Sequence, residues 1–182
     1  MNWLANIDNV LFRIINSSGD VNLDHIMILF SNKFIFIPLY IYILFILFKQ
    51  YNKQFIWILL SLITLIFLAD FGSVHFFKNT FQRLRPCHQL DDIRIVLECG
   101  GLYGFISSHA ANMFSIAFFI GLINRDLKLF IFLFSLASII GFSRIYLGVH
   151  FPLDIVGGML WAIIVSLLTF KLLSLKIDET IQ

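Results

Sequence analysis

Residues 55–77 are an apolar run broken by one formal charge, Asp70. A helix needs about 20 apolar residues to cross the hydrocarbon of a bilayer. Inside that hydrocarbon every backbone N–H and C=O must find a partner within the protein, which restricts such a run to a helix. Four more runs are of the same kind, at 34–48, 105–123, 127–147 and 153–173; the first is short and borrows residues on either side. The whole chain agrees. Hydrophobic residues make up 59% and charged residues 13%, against nearer half and a quarter in an ordinary soluble domain, and mean hydropathy is +0.90. The expected fold is all-α, a polytopic transmembrane helical bundle of about five spans.

The N-terminal segment reads differently. Trp3, Leu4, Ile7, Val10, Leu11, Ile14 and Ile15 share one helical face, while Asn2, Asp8, Asn9 and Arg13 fall mostly on the other. That pattern is an amphipathic helix lying in the membrane interface. Ser17-Ser18-Gly19-Asp20 ends it, and a short apolar piece follows at 21–30. At 182 residues a single domain is expected, with interfacial helices over 1–30 and the bundle over 34–175. The first residues lack the pattern of a cleaved secretory signal, so Met1 is read as the start of the mature chain. A net charge of +2 with no basic run argues against nucleic acid as a partner.

Three clusters carry the polar chemistry. The first is Lys78-Asn79-Thr80-Phe81-Gln82-Arg83-Leu84-Arg85-Pro86, at the end of the second span. The second is Phe105-Ile106-Ser107-Ser108-His109-Ala110, at the start of the third. The last, 143–154, joins the fourth span to the fifth and contains Arg144, His150 and Asp154. Each has a plain explanation alone: a basic patch against lipid phosphates, a serine helix cap, an arginine snorkelling to the headgroups beside a capped helix. Parity changes the balance. The second span exits where the third enters, the fourth exits and the fifth enters, so all three clusters share one membrane face. Three fixed cations, two imidazoles and a helix N-terminus on one face describe a phosphate site. The opposite face carries Lys49, Lys53, Arg125, Lys128, Lys171 and Lys176; this is six Lys/Arg against seven, or six against four once Lys78, Arg85 and Arg144 are set aside. The positive-inside rule then makes the opposite face cytoplasmic and turns the clusters outward.

Together, Lys78-x6-Arg85-Pro86, Ser107-x-His109 and Ser143-Arg144-x5-His150-x3-Asp154 resemble the tripartite motif of the type 2 phosphatidic acid phosphatase superfamily, matching nine of its eleven positions. Both departures lie in the second element, where Ile106 replaces the usual Pro and Ser108 the usual Gly. Losing the proline removes a preset turn, which Ser107 can partly replace as a cap; Ser108 keeps a backbone N–H and adds a hydroxyl and a Cβ.

The resemblance implies a chemistry. His150 is the nucleophile and forms a phosphohistidine. Asp154 fixes its tautomer and steadies the imidazolium. Lys78, Arg85 and Arg144 hold the phosphoryl oxygens, joined by Ser107, Ser108 and the first-turn N–H groups. His109 protonates the leaving oxygen and later activates water. A cation about 4 Å from an anion is worth roughly 4 kcal/mol at an effective dielectric near 20, so three can supply what a metal supplies elsewhere, and no metal or cofactor is expected. The cations push His150 towards its neutral form while Asp154 pulls the other way.

A phosphate pocket at a membrane surface with no soluble lobe suits a phosphate carried on a lipid of the bilayer. Undecaprenyl pyrophosphate, phosphatidylglycerol phosphate, phosphatidic acid and a phosphate of lipid A are the candidates, which points to a bacterial inner membrane with the site facing the periplasm or exterior. A lipid phosphotransferase, or a lipid-phosphate binding or transport protein without catalysis, would use the same cations. Cys87 and Cys99 share the outward loop; in an oxidising compartment a disulfide there would contribute about 3 kcal/mol on the chain-entropy model. Two free thiols are the alternative, and a zinc site with His88 lacks a fourth ligand. Nothing in the residues addresses oligomeric state.

Overall fold

The computed structural model describes the backbone of residues 2–181 and the side chains of residues 3–176. Each apolar run becomes helical. α1 (Asn2–Ser17) and α2 (Val21–Ser31) lead through a 3₁₀ turn, Lys33–Phe36, into α3 (Ile37–Tyr51). After a short 3₁₀ link comes α4 (Phe55–Gly72), which continues through a π turn, Ser73–Lys78, into α5 (Asn79–Phe81). The short α6 (Pro86–Gln89) and a loop precede α7 (Ser108–Asn124), α8 (Leu127–Tyr146) and α9 (Pro152–Ile181).

Local chemistry sets the starts. The Asp20 carboxylate accepts from the N–H groups of Asn22 and Leu23 to open α2, and Asp126 does the same for Lys128 and Leu129 at α8. Ser107 caps α7 by accepting from the Ala110 N–H, so the helix begins at Ser108, three residues after its hydropathy does. Pro152 opens α9, where its missing N–H costs nothing.

Apolar side chains lie both inside and outside the bundle. Ile58, Leu65 and Ala69 of α4, Phe119 and Ile120 of α7, Leu133 of α8 and Val165 of α9 form the core. Ile63, Phe67, Phe132 and Ile164 point outward and are more than half exposed. A helix apolar all round has lipid on one side and protein on the other. Lys33–Phe81, Leu127–Tyr146 and Pro152–Lys176 are long and apolar enough to cross a membrane, and α7 is a shorter apolar helix. The protein is integral to a membrane. A Cβ on Gly158 would lie 2.9 Å from both the Ala110 Cβ and the Ser107 carbonyl, so α9 meets α7 there at backbone distance, with Ala162 fully buried. The α7–α9 bond runs from the Ser166 hydroxyl to the Ser115 carbonyl at 3.1 Å, leaving Asn112 Oδ1 and Ser115 Oγ buried without a partner.

The N-terminal helix departs from expectation on one face. Its apolar stripe does point outward, with Trp3 63% and Val10 56% exposed. The polar face is not uniformly solvated, however: Asp8 and Asn16 are buried, with Phe12 between them at four-residue spacing. Loops of the bundle satisfy these groups. Asn16 donates to the carbonyls of Arg94 and Tyr146 and accepts from the Arg94 N–H. α1 is therefore docked on the end of the bundle that bears the polar clusters.

The same end is braced by the Arg94–Asp24 ion pair at 2.8 Å, by the Tyr146 hydroxyl on Asp24, and by Cys87 and Cys99, paired as a disulfide with Cα atoms 6.1 Å apart. Gly148 turns the chain between α8 and α9 at φ +87, and a Cβ there would lie 2.4 Å from the Arg94 carbonyl oxygen. Gly148→Ala therefore combines a left-handed conformation with a clash and should destabilise the protein by roughly 1–3 kcal/mol. A thermal melt in detergent indistinguishable from wild type would contradict this reading of the turn.

Candidate active site

The first cluster is shaped by the way α4 ends. The π turn carries Ser73 and Lys78 towards the start of α7, and such turns recur at functional sites. Lys78 Nζ donates to Ser108 Oγ at 2.8 Å, Ser108 and Ser73 share a hydrogen bond at 2.6 Å, and Ser73 Oγ donates to the Asp70 carbonyl at 2.7 Å. An ammonium only donates and a carbonyl only accepts, so the protons run in one direction, from Lys78 through Ser108 and Ser73 to Asp70. The hydroxyl that Ser108 adds is thus a holder for Lys78.

Gln82, at φ 47, then turns the chain out of the helix. The next residues pair with 102–104: Leu84 bridges Tyr103, the Arg85 N–H donates to the Leu102 carbonyl at 3.2 Å, and the Gly104 N–H donates to the Arg83 carbonyl at 2.8 Å. In extended chain, side chains two apart share a side. Arg83 and Arg85 accordingly both reach the third cluster. A Cβ on Gly104 would sit 2.9 Å from Asp154 Oδ2 and 3.2 Å from Arg85 Cγ, so glycine is what lets the two segments close on each other.

The third cluster is a rigid turn. The Arg144 carbonyl accepts from the N–H groups of Val149 and His150, and the Ser143 carbonyl from that of Leu147. The imidazole of His150 is 1% exposed. Its Nδ1 lies 3.1 Å from Asp154 Oδ2, and its Nε2 lies 3.2 Å from Arg85 Nη1. An ionised carboxylate can only accept and a guanidinium can only donate. Nδ1 therefore bears the hydrogen, and the Nε2 lone pair faces Arg85. Asp154 Oδ2 also accepts from the Phe151 N–H at 3.0 Å, and its Oδ1 accepts from Arg83 Nη1 at 3.0 Å.

His150 stands in the turn between two spans. Burial pushes its imidazole down to about 4; Asp154 opposes the fall, and Arg85 and Arg144 add to it. The opposing influences named from the sequence thus favour a neutral ring whose Nε2 carries no hydrogen and faces Arg85. Arg144 donates from Nη1 to the Ser31 hydroxyl at the end of α2. The Nε atoms of Arg85 and Arg144 are buried without a hydrogen-bond partner, which is costly unless an anion takes them up. His109, on the first turn of α7, lies within electrostatic reach of Arg144, His150, Arg85 and Lys33. Ser107 is fully buried; its N–H donates to the Asp154 carbonyl at 3.0 Å, joining the second cluster to the third.

Lys78, Arg85, His109, Arg144, His150 and Asp154 therefore gather at one end of the bundle, with Ser107 and Ser108 as their supports. Asp70 takes part through its carbonyl, with its carboxylate within electrostatic reach of Lys78, and His75 is stacked on Phe71 with Nδ1 3.0 Å from the Phe71 carbonyl. Ile106, in place of proline, is buried where a Cβ on Gly157 would lie 2.5 Å from it. Sequence reasoning missed Asp8, Ser31, Arg83 and Gly104. The four-residue spacing of Asp8, Phe12 and Asn16 was the available signal for the first, and arginines two apart before a proline were the hint for Arg83; nothing in the sequence pointed to Ser31 or Gly104.

A neutral imidazole nitrogen facing buried guanidinium donors can attack an electrophile that carries negative charge, and a phosphoryl group meets that description. The sequence profile of the PAP2 superfamily matches residues 54–178, which include all three clusters. The lipid A 4'-phosphatase of Porphyromonas gingivalis is 34% identical over 176 residues, covering 94% of this chain and 75% of that protein. The crystal structure of Aquifex aeolicus LpxE superposes with a TM-score of 0.66 and 29% identity, covering 88% of this chain and 93% of that one. The first transmembrane PAP2 type phosphatidylglycerolphosphate phosphatase from Bacillus subtilis has the same fold, with a TM-score of 0.68 and 24% identity over 100% of this chain and 89% of that one.

Proposed function

The chain belongs to the PAP2 superfamily, and on that premise we propose that it removes a phosphate monoester from lipid A, or from a lipid of the same kind, through a phosphohistidine on His150. The observation that carries the mechanism is the pair of contacts on one imidazole, Asp154 at Nδ1 and Arg85 at Nε2. The His150 Nε2 lone pair attacks phosphorus while the bond from phosphorus to the lipid oxygen breaks, and His109 gives that oxygen a proton. Water, losing a proton to His109, then attacks the phosphoryl group. The N–P bond breaks, phosphate leaves and His150 returns neutral. Arg85 and Arg144 meet the developing charge on the phosphoryl oxygens, and Lys78, held by Ser108, is the third cation.

Two features support a lipid substrate. An apolar groove of about 600 Å³ between α3, α4 and α7 is lined by Lys33, Ile37, Tyr40, Leu59, Leu62 and Ile116, and Lys33 lies within electrostatic reach of His109. The sugar-linked lipid is favoured over the other candidates by the likeness to the P. gingivalis enzyme. The site faces the periplasm in this proposal. Arg83 pairs with Asp154 and so belongs to the site, which leaves Arg13, Lys33 and Arg94 on that face against six Lys/Arg on the other.

The test is phosphate release from lipid A, phosphatidylglycerol phosphate, phosphatidic acid and undecaprenyl pyrophosphate in mixed micelles, with His150→Ala as control. Release fastest from lipid A, with one phosphate lost by mass spectrometry, supports the proposal. Preference for another lipid replaces the substrate, and transfer of the phosphate to a second lipid replaces hydrolysis with phosphotransfer.

The depressed basicity of His150 has its own consequence. The folded value of about 4 lies below the ordinary 6.5, so between those pH values the unfolded chain binds a proton that the folded chain refuses. The contribution of His150 to stability is complete above the higher value and is lost as pH falls towards the lower. At about pH 5.5 a solvated histidine is mostly protonated. The ¹⁵N ring signals of His150 should there still report a neutral Nδ1–H tautomer; an imidazolium pattern would contradict the assignment.

A further inference from the structure

Asp154 has two carboxylate oxygens, and the mechanism above uses only one. The other is occupied by a chain of contacts running to the N-terminal helix. Arg83 Nη1 donates to Asp154 Oδ1 at 3.0 Å, and Arg83 Nη2 donates to Asp8 Oδ2 at 2.5 Å. Asp8 is 1% exposed, and its Oδ1 accepts from the Leu153 N–H at 2.8 Å. The Arg83 guanidinium lies 4.2 Å over the Phe151 ring, whose other neighbour is Phe12, at 5.2 Å between centroids. A buried carboxylate on an interfacial helix is costly without a partner, and here the partner leads directly to the candidate nucleophile.

We propose that Arg83 and Asp8 are positioning residues of the phosphatase, aligning Asp154 so that His150 presents Nε2 to phosphorus. The proposal rests on His150 being the nucleophile. The geometric part follows from Asp154, which can hold the His150 ring only if its own carboxylate is fixed, and Arg83 fixes it from the far side. Leu153 and Phe151, on either side of the proline that opens α9, are pinned by Asp8 and Asp154 through their N–H groups.

The electrostatic part follows from the order of charges. Forming the N–P bond leaves a positive imidazole, which Asp154 must stabilise. A lone guanidinium 3.0 Å from that carboxylate would spend its field. Asp8, on the other end of the same guanidinium, takes up the charge of Arg83, and Asp154 keeps its pull on His150. The three groups Asp8, Arg83 and Asp154 carry a net single negative charge, matched when the imidazole becomes positive. Both Nη atoms of Arg83 are taken up by carboxylates, and Asp8 is itself an acid, so the pair is directed at Asp154 and not at the phosphoryl oxygens.

The test is steady-state kinetics of Asp8→Asn, Arg83→Gln and the double variant in detergent, with Arg85→Gln for contrast. Asp8→Asn is isosteric and can still accept from the Leu153 N–H, so it carries the test if Arg83→Gln fails to fold. Each single variant should lose roughly 10- to 100-fold in kcat with KM changed by no more than about twofold, the size expected for groups that orient a reacting residue. The double variant should lose no more than Arg83→Gln alone, because the two act as one unit. Arg85→Gln should raise KM as well. A folded Asp8→Asn with wild-type kcat, a loss carried by KM, or losses that multiply in the double variant would each overturn the inference. If His150→Ala is inactive while both single variants turn over normally, only this inference fails; if His150→Ala is fully active, the phosphohistidine reading fails first.

Discussion

His150→Ala is expected to abolish phosphate release, with a fall of at least about 10⁴-fold in kcat, the size seen when a nucleophile and its partners act as one unit. In the proposed mechanism the substitution removes the atom that bonds to phosphorus, and it leaves Arg85 and Asp154 without their shared partner. The fold should survive, since the turn is held by backbone bonds from Val149 and His150 to the Arg144 carbonyl, which an alanine keeps. Wild-type enzyme incubated with labelled substrate and quenched in alkaline detergent should carry base-stable, acid-labile phosphate, and the variant none. A fully active His150→Ala would remove the covalent mechanism outright.

Arg144→Ala is the second large effect, with an expected fall of roughly 10²- to 10³-fold in kcat, as for the loss of one preorganised donor aimed at transition-state charge. Arg144 is 6% exposed, donates to Ser31, and has a buried Nε with no partner. The protein therefore holds a desolvated cation with a donor still to be taken up. Arg144→Lys should rescue little, because an ammonium on a flexible stem cannot both reach Ser31 and offer a second fixed donor. Rates within a few-fold of wild type for a folded Arg144→Ala would show that the phosphoryl group is held elsewhere.

Much of this was legible in the residues. The five apolar runs are helical because hydrocarbon leaves a backbone no alternative, and Ser107, the serine at the start of the third run, caps its helix. The spacing from Arg144 to His150 to Asp154 needs only one turn of chain and the first turn of a helix to bring an imidazole onto a carboxylate. Those are local relations, and local relations survive translation into structure. What the residues did not record is where part of the polar face of α1 goes. Its composition describes a helix half in lipid and half in water, but Asp8 and Asn16 face neither; they face loops more than 70 residues away in sequence.

Class, membrane residence and the cast of cations and imidazoles were set by sequence alone, because each depends on composition and on spacing within a few turns. Which nitrogen of His150 is bare, that Ser108 serves Lys78, and that an interfacial helix reaches Asp154 through Arg83 were decided only in three dimensions. The physical reason is that a hydrogen bond is short and directional. Whether two polar groups share one depends on loops brought to within 3 Å by packing elsewhere, and no periodicity in the chain records that distance.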